Sequence, residues 1–103
     1  MRVVGTVIEE ESGRPIEGLV VRAYDKDLIF DDKLGSVHTN AKGEFEISYT
    51  ETQYRDFNET QPDLYLKVFD ANGKKELHST KKQLRQAQVL ERYEIKIPRA
   101  KLA

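Results

Sequence analysis

Apolar and polar residues alternate in short runs along this chain, and turn residues separate the runs. No other feature restricts the fold as strongly. Phe45, Ile47 and Tyr49 interleave with Glu44, Glu46 and Ser48, a period of two that puts one set on each face of a strand. Leu19, Val21 and Ala23 share a face against Val20, Arg22 and Tyr24, a mixed face with partial cover. The pattern predicts strands over Arg2–Glu9, Leu19–Asp25, Val37–Thr39, Glu44–Thr50, Leu64–Phe69, Lys74–Thr80 and Arg92–Ile97. Between them lie Ser12-Gly13-Arg14-Pro15, Asn40-Ala41-Lys42-Gly43 and Asp70-Ala71-Asn72-Gly73, with glycines where tight hairpins need positive φ. The lysines of Lys74–Thr80 suit an edge strand. Tyr54 and Phe57, three apart in the polar stretch ending at Pro62, suit one short helical turn. Lys81–Gln88 reads as a polar connector able to coil into a helical turn, and Arg99–Ala103 as a loose tail. The expected fold is an all-β, seven-stranded Greek-key β-sandwich with antiparallel sheets, filling residues 1–103 as one domain.

Composition excludes several functions. The 103 residues carry 17 Lys and Arg against 18 Asp and Glu, so no whole-domain basic footprint for nucleic acid exists. With no Cys, disulfides, thiolate chemistry and Cys-based zinc sites are ruled out. No apolar run approaches the roughly 20 residues that span a bilayer. Met1, Arg2 and the short apolar run interrupted at Gly5 do not read as a signal peptide. The compartment stays open, and no integral membrane contact is expected. The near-neutral total hides a split. Nine basic and three acidic residues from Lys74 to Ala103 give +6, which leaves −7 for the remainder.

Several segments resemble one family. Gly5-Thr6-Val7, Ser12-Gly13-Arg14-Pro15-Ile16-Glu17-Gly18 and Val21-Arg22-Ala23-Tyr24-Asp25 are similar to the opening of a transthyretin-like (prealbumin-like) module, shared with carboxypeptidase regulatory-like domains. Thr39-Asn40-Ala41-Lys42-Gly43-Glu44-Phe45 resembles the hairpin that follows. Asp25 to Gly35 and Pro62 to Val68 resemble a subgroup found in transthyretin-like secreted proteins and bacterial accessory domains. The resemblance implies an accessory module that offers a binding or packing surface. One branch opens the ring of 5-hydroxyisourate and carries a C-terminal Tyr-Arg-Gly-Ser motif. Here the end reads Ile97-Pro98-Arg99-Ala100-Lys101-Leu102-Ala103. A branch with Lys–Asn isopeptide cross-links needs a first-strand Lys, which Arg2–Glu9 lacks.

Four features could carry chemistry. Asp25, Asp27, Asp31 and Asp32 form an acidic loop, and clustered carboxylates on a loop suit calcium. The Asp-x-Asp spacing also resembles the third calcium loop of C2 domains. The same residues suit turn capping, which is the preferred reading. Leu28-Ile29-Phe30, between the Asp pairs, would form a membrane-inserting or partner-binding tip if exposed. The preferred alternative folds Phe30 and Leu34 back over one end of the core. Lys74, Lys75, Lys81, Lys82 and Arg85 could dock an acidic partner or phosphate, against the preferred reading of a solvated edge and tail. His38 and His78 read as surface imidazoles, because adjacent strand residues point to opposite faces and cannot form a dyad with Thr39 or Ser79.

The first functional reading is therefore a non-enzymatic accessory or protein-binding module, with an unidentified protein partner and no cofactor. A calcium-dependent binding module is the alternative, with the four Asp residues as ligands. A small hydrolase of the hydroxyisourate-hydrolase type is the second alternative.

Overall fold

The structure, a computed structural model, describes residues 1–50 and 62–103. The strands are β1 (Arg2–Glu9), β2 (Val20–Asp25), β3 (Asp32–His38), β4 (Glu44–Ser48), β5 (Asp63–Phe69), β6 (Glu76–Ser79), β7 (Arg85–Gln86) and β8 (Leu90–Ile97). A one-turn helix, α1 (Arg99–Leu102), follows. One sheet has the order β4-β1-β8. The other runs β3-β2-β5-β6, and β7 also pairs with β5. The expected all-β sandwich is what forms. The suggested helical turn at Tyr54 and Phe57 lies outside the described residues. Among the described residues no helix is long and apolar enough to cross a membrane.

The alternation seen in the sequence builds the core. Val3 and Val7 of β1, Phe45 and Ile47 of β4, and Tyr93, Ile95 and Ile97 of β8 face Val21 and Ala23 of β2, Leu34 of β3, and Leu64, Leu66 and Val68 of β5. All are buried. Their burial supplies most of the driving force, at about 25 cal/mol per Å² of apolar surface.

Five local expectations differ from the structure. The third strand begins at Asp32, not Val37. A bulge between Ala23 and Tyr24 of β2 lets Leu34 be the extra residue on β3. The bulge breaks the period-two pattern and conceals the strand. The Lys81–Gln88 connector contains β7, which pairs with Asp63 and Leu64. The Asn40–Gly43 turn is tight, with Gly43 at φ 71°, yet its flanking strands belong to different sheets. It carries the chain from one layer to the other. A side chain at Gly43 would lie 2.5 Å from the Val7 carbonyl oxygen, the kind of close approach that only glycine permits. The β1 and β8 strands run parallel, from Arg2 opposite Leu90 to Glu9 opposite Ile97, so the first sheet is mixed. Finally, the tail is a helical turn. Arg99 donates to Glu9 Oε1 at 2.9 Å and its amide donates to Glu11 Oε1 at 2.9 Å, while Leu102 packs against the core.

Candidate functional site

Strand direction collects the β2–β3 loop, the β7–β8 connection and Met1 at one end of the sandwich. Asp25 ends β2, Asp32 opens β3, Asp63 opens β5 and Leu90 opens β8. The Asn40–Gly43 and Asp70–Gly73 turns lie at the opposite end, because β3 and β5 run towards them.

The four aspartates do not converge at this end. Asp25 points inward and is fully buried. Its Oδ1 accepts the Asp63 amide at 2.8 Å, and the Lys26 amide donates to the Asp63 carbonyl at 2.9 Å. It therefore ties β2 to β5. Asp27 Oδ1 accepts the Leu28 amide at 2.6 Å, a local cap that stabilises a turn. Asp31 Oδ1 accepts the Asp27 amide at 3.1 Å. The Tyr65 hydroxyl donates to Asp31 Oδ2, and Lys81 Nζ lies 3.2 Å from the same oxygen. Asp32 pairs opposite Asp25 at the start of β3. Among the described residues no group of three or more His, Asp or Glu is placed to hold a metal ion. As placed, Asp25, Asp27 and Asp31 each accept from separate donors; the calcium reading needs these carboxylates turned to one point, since calcium takes six to eight oxygens.

Charge organises the loop base. Partial burial works against ionisation of Asp31, but the Tyr65 hydroxyl, the Asp27 amide and the Lys81 ammonium outweigh it. The carboxyl falls from an ordinary 3.8 to about 2. Burial first, and then the bond to Asp31, pushes the Tyr65 hydroxyl up. The Tyr65 ring stacks on Tyr24, with centroids 5.1 Å apart and planes at 16°. Lys81 Nζ sits 5.4 Å from the Tyr65 centroid, within cation–π range. Two strands and the chain after β6 thus hold both ends of the Asp27–Asp31 segment.

Between those anchors Leu28, Ile29 and Phe30 stand out into solvent, 98%, 82% and 81% exposed. This corrects the expectation that Phe30 folds back with Leu34. Leu34 alone turns into the core, at 1% exposure, because the bulge rotates it inward. Phe30 lies before the strand begins, where the Asp31 contacts direct the loop outward.

The basic residues do not form one surface. Lys74 and Lys75 are at the β5–β6 turn, at the far end, where their amides donate to Asp70 Oδ1 at 2.9 and 3.2 Å. Lys81 is engaged with Asp31, and Lys82 is exposed beside it. Arg85 turns onto the sandwich. Its guanidinium lies 3.8 Å from the Tyr93 centroid, 3.1 Å from Glu91 Oε1, and donates to the Arg92 carbonyl at 2.8 Å. The split reflects chain direction, since β6 carries the segment from one end to the other.

His38 Nε2 lies 3.4 Å from the Ala71 carbonyl. His78 is half-buried, a departure from the surface reading; burial, then nearby Lys101, lowers its pKa against the opposing charge of Glu76. Among the described residues neither imidazole is hydrogen-bonded to a hydroxyl or a carboxylate. A groove of about 890 Å³ runs past Val4, Thr6, Glu44, Phe45, Arg92 and His38, on the side of the β4-β1-β8 sheet.

Sequence reasoning missed Tyr65 and Tyr24. Both fall on the outward positions of their strands, where an aromatic looks like ordinary cover. Only the Tyr24–Tyr65 register shows that they stack and that Asp31 reaches one of them.

Comparison with known proteins agrees with the architecture. A solved structure of a 9R-lipoxygenase from Cyanothece PCC8801 superposes with a TM-score of 0.67 at 21% identity. The match covers 91% of this chain and 16% of the lipoxygenase chain, so this chain spans a small part of that protein's length. It shows the shared fold. No curated protein matches this sequence. The profile of the transthyretin-like family matches residues 12–98, most of both sheets, and the chain belongs to the transthyretin-like family.

Proposed function

We propose that the chain is a non-enzymatic accessory module that docks on a partner surface through the β2–β3 loop. The observation that carries this reading is a run of three exposed apolar side chains on a loop whose base is fixed by Asp27, Asp31, Tyr65 and Lys81. Exposing adjacent large apolar groups is unfavourable in water, and such patches mark interaction sites. Fixing the loop before binding lowers the ordering cost of association. The non-enzymatic part is supported by the histidines, which sit apart from any hydroxyl or carboxylate partner among the described residues. A nucleophile would need such a base.

The test compares wild type with a Leu28→Ser/Ile29→Ser/Phe30→Ser variant for retention on total extract of the source cells, membranes included. Expected is an unchanged melting temperature with lost retention. Equal retention by a folded variant would refute the docking role of the loop.

A further inference from the structure

The Asp70–Gly73 turn, at the end away from the β2–β3 loop, joins β5 to β6 yet leans back across β2 to β3. Arg22 Nη2 donates to the Gly73 carbonyl at 3.3 Å, and His38 Nε2 lies 3.4 Å from the Ala71 carbonyl. The Arg22 guanidinium stacks over Phe69, 4.4 Å from the ring centroid. A carbon added to Gly73 would lie 3.8 Å from Val20 Cγ2, so the turn is a flap over the start of β2.

Asn72 and Gly73 are adjacent on this flap. Asn72 is exposed, and among the described residues its side chain makes no hydrogen bond. Asn40 is the opposite case. Its Oδ1 accepts the Lys42 and Glu44 amides, each at 2.9 Å, and its Nδ2 donates to Glu44 Oε1 at 3.3 Å. Asn40 is also followed by Ala41, whose Cβ crowds the backbone nitrogen, whereas Gly73 has no Cβ. An asparagine amide carbon is open to attack by the next backbone nitrogen. At Asn72 both the free amide and the uncrowded nitrogen favour that attack. The nitrogen is restrained only by its place in the turn, where the Gly73 amide donates to the Asp70 carbonyl at 2.9 Å.

We propose that Asn72 is a self-modification site, gated by the hold of Arg22 and His38 on the flap, and that its isoaspartyl product leaves the flap lifted. The Gly73 nitrogen bonds to Asn72 Cγ and gives up its proton. The bond from Cγ to the side-chain nitrogen breaks, and ammonia leaves. Water then opens the five-membered imide. Cleavage at Cγ yields aspartate, and cleavage at the main-chain carbonyl of residue 72 yields isoaspartate. One water enters, one ammonia departs, and nothing is oxidised or reduced. Isoaspartate routes the backbone through an added methylene group, so the Gly73 amide loses its register with the Asp70 carbonyl. The new carboxylate stands two residues from Asp70, which carries the same charge. The reaction needs no partner and takes place away from the docking loop.

The experiment ages the full chain at neutral and mildly alkaline pH, folded and in guanidinium chloride. Peptides are read by mass spectrometry, and isoaspartate is labelled with an isoaspartyl methyltransferase. Expected in the folded chain is the mass shift of an NH2-to-OH exchange at Asn72, well ahead of Asn40. Arg22→Gln should speed it by about 3–10-fold, the effect of one lost hydrogen bond on the open population. His38→Ala should act in the same direction, and it serves alone if Arg22→Gln does not fold. In the isolated isoaspartyl form the Gly73 amide should exchange hydrogen faster than in the unmodified chain. An intact Asn72 in the folded chain beside a reactive one in guanidinium overturns the site, as does equal reaction at Asn40. Unchanged rates in the folded variants overturn the gate, and unchanged amide exchange overturns the lifted flap.

Discussion

Replacing Asp31 with Asn removes one charge and keeps an Oδ1 acceptor for the Asp27 amide, while the Oδ2 that takes the Tyr65 hydroxyl and Lys81 becomes an NH2, which cannot accept. The perturbation thus removes the carboxylate charge together with the acceptor that holds Tyr65 and Lys81. The folded protein holds the Asp31 pKa at about 2 against an ordinary 3.8. At about 1.36 kcal/mol per pKa unit, that difference is worth ~2.4 kcal/mol. The side chain is 17% exposed, and screening by solvent brings the expected loss to about 1–2 kcal/mol. For a domain of this size the melting temperature should fall by about 5–10 °C near pH 7. Because the folded pKa is depressed, the contribution is fully present above pH ~4. It is lost as pH falls towards ~2, where both states bind the proton. Thermal melts followed by circular dichroism, for wild type and Asp31→Asn across pH 2–7, measure this directly. The gap between the two should narrow in the acid range and close near its lower limit. A variant as stable as wild type at pH 7, or a deficit that stays constant down to pH 2, would refute the assignment of Asp31 as a charged anchor.

Three other outcomes follow from the packing. Thr39→Val should cost about 2 kcal/mol, read by urea unfolding, because the hydroxyl accepts the Leu19 amide at 3.1 Å and donates to the Ile16 carbonyl at 2.7 Å, leaving both unpaired. Gly35→Ala should cost about 1–3 kcal/mol in the same assay, since the added carbon would lie 2.5 Å from Ile47 Cγ2 inside the core. Millimolar calcium, compared with EDTA, should leave the melting temperature unchanged, because Asp25, Asp27 and Asp31 serve different donors; a clear rise would show ligand linkage and support the calcium reading.

The sheet faces were legible in the sequence wherever strands were regular. Phe45 and Ile47, Leu64 to Val68, and Tyr93 to Ile97 alternate in the sequence as they do in the core. The pattern failed where a single residue changed the period. The bulge opposite Ala23 and Tyr24 adds Leu34 to β3, so a strand that starts at Asp32 looked like an acidic loop. The parallel pairing of β1 and β8 could not be read, because partner choice between distant strands leaves no local trace. Glycine in the Asn40–Gly43 turn marked the turn correctly but not that it joins two layers. At the candidate site the sequence showed both the apolar triplet and its flanking aspartates. It could not show exposure, which depends on Asp31 reaching Tyr65 across a separation of 34 residues.

The parallel run of β1 beside β8 has a mechanical meaning. These strands hold the two ends of the chain, and they are hydrogen-bonded along their length. Opposed tension on Met1 and Ala103 pulls them past each other along their common axis. Every bond of that ladder is loaded at once, whereas an antiparallel terminal pair pulled from its open end parts one rung at a time. Rupture then waits on the whole ladder, and the force needed reports the unfolding barrier rather than equilibrium stability. A module with this geometry resists stretching between its termini far better than its size suggests.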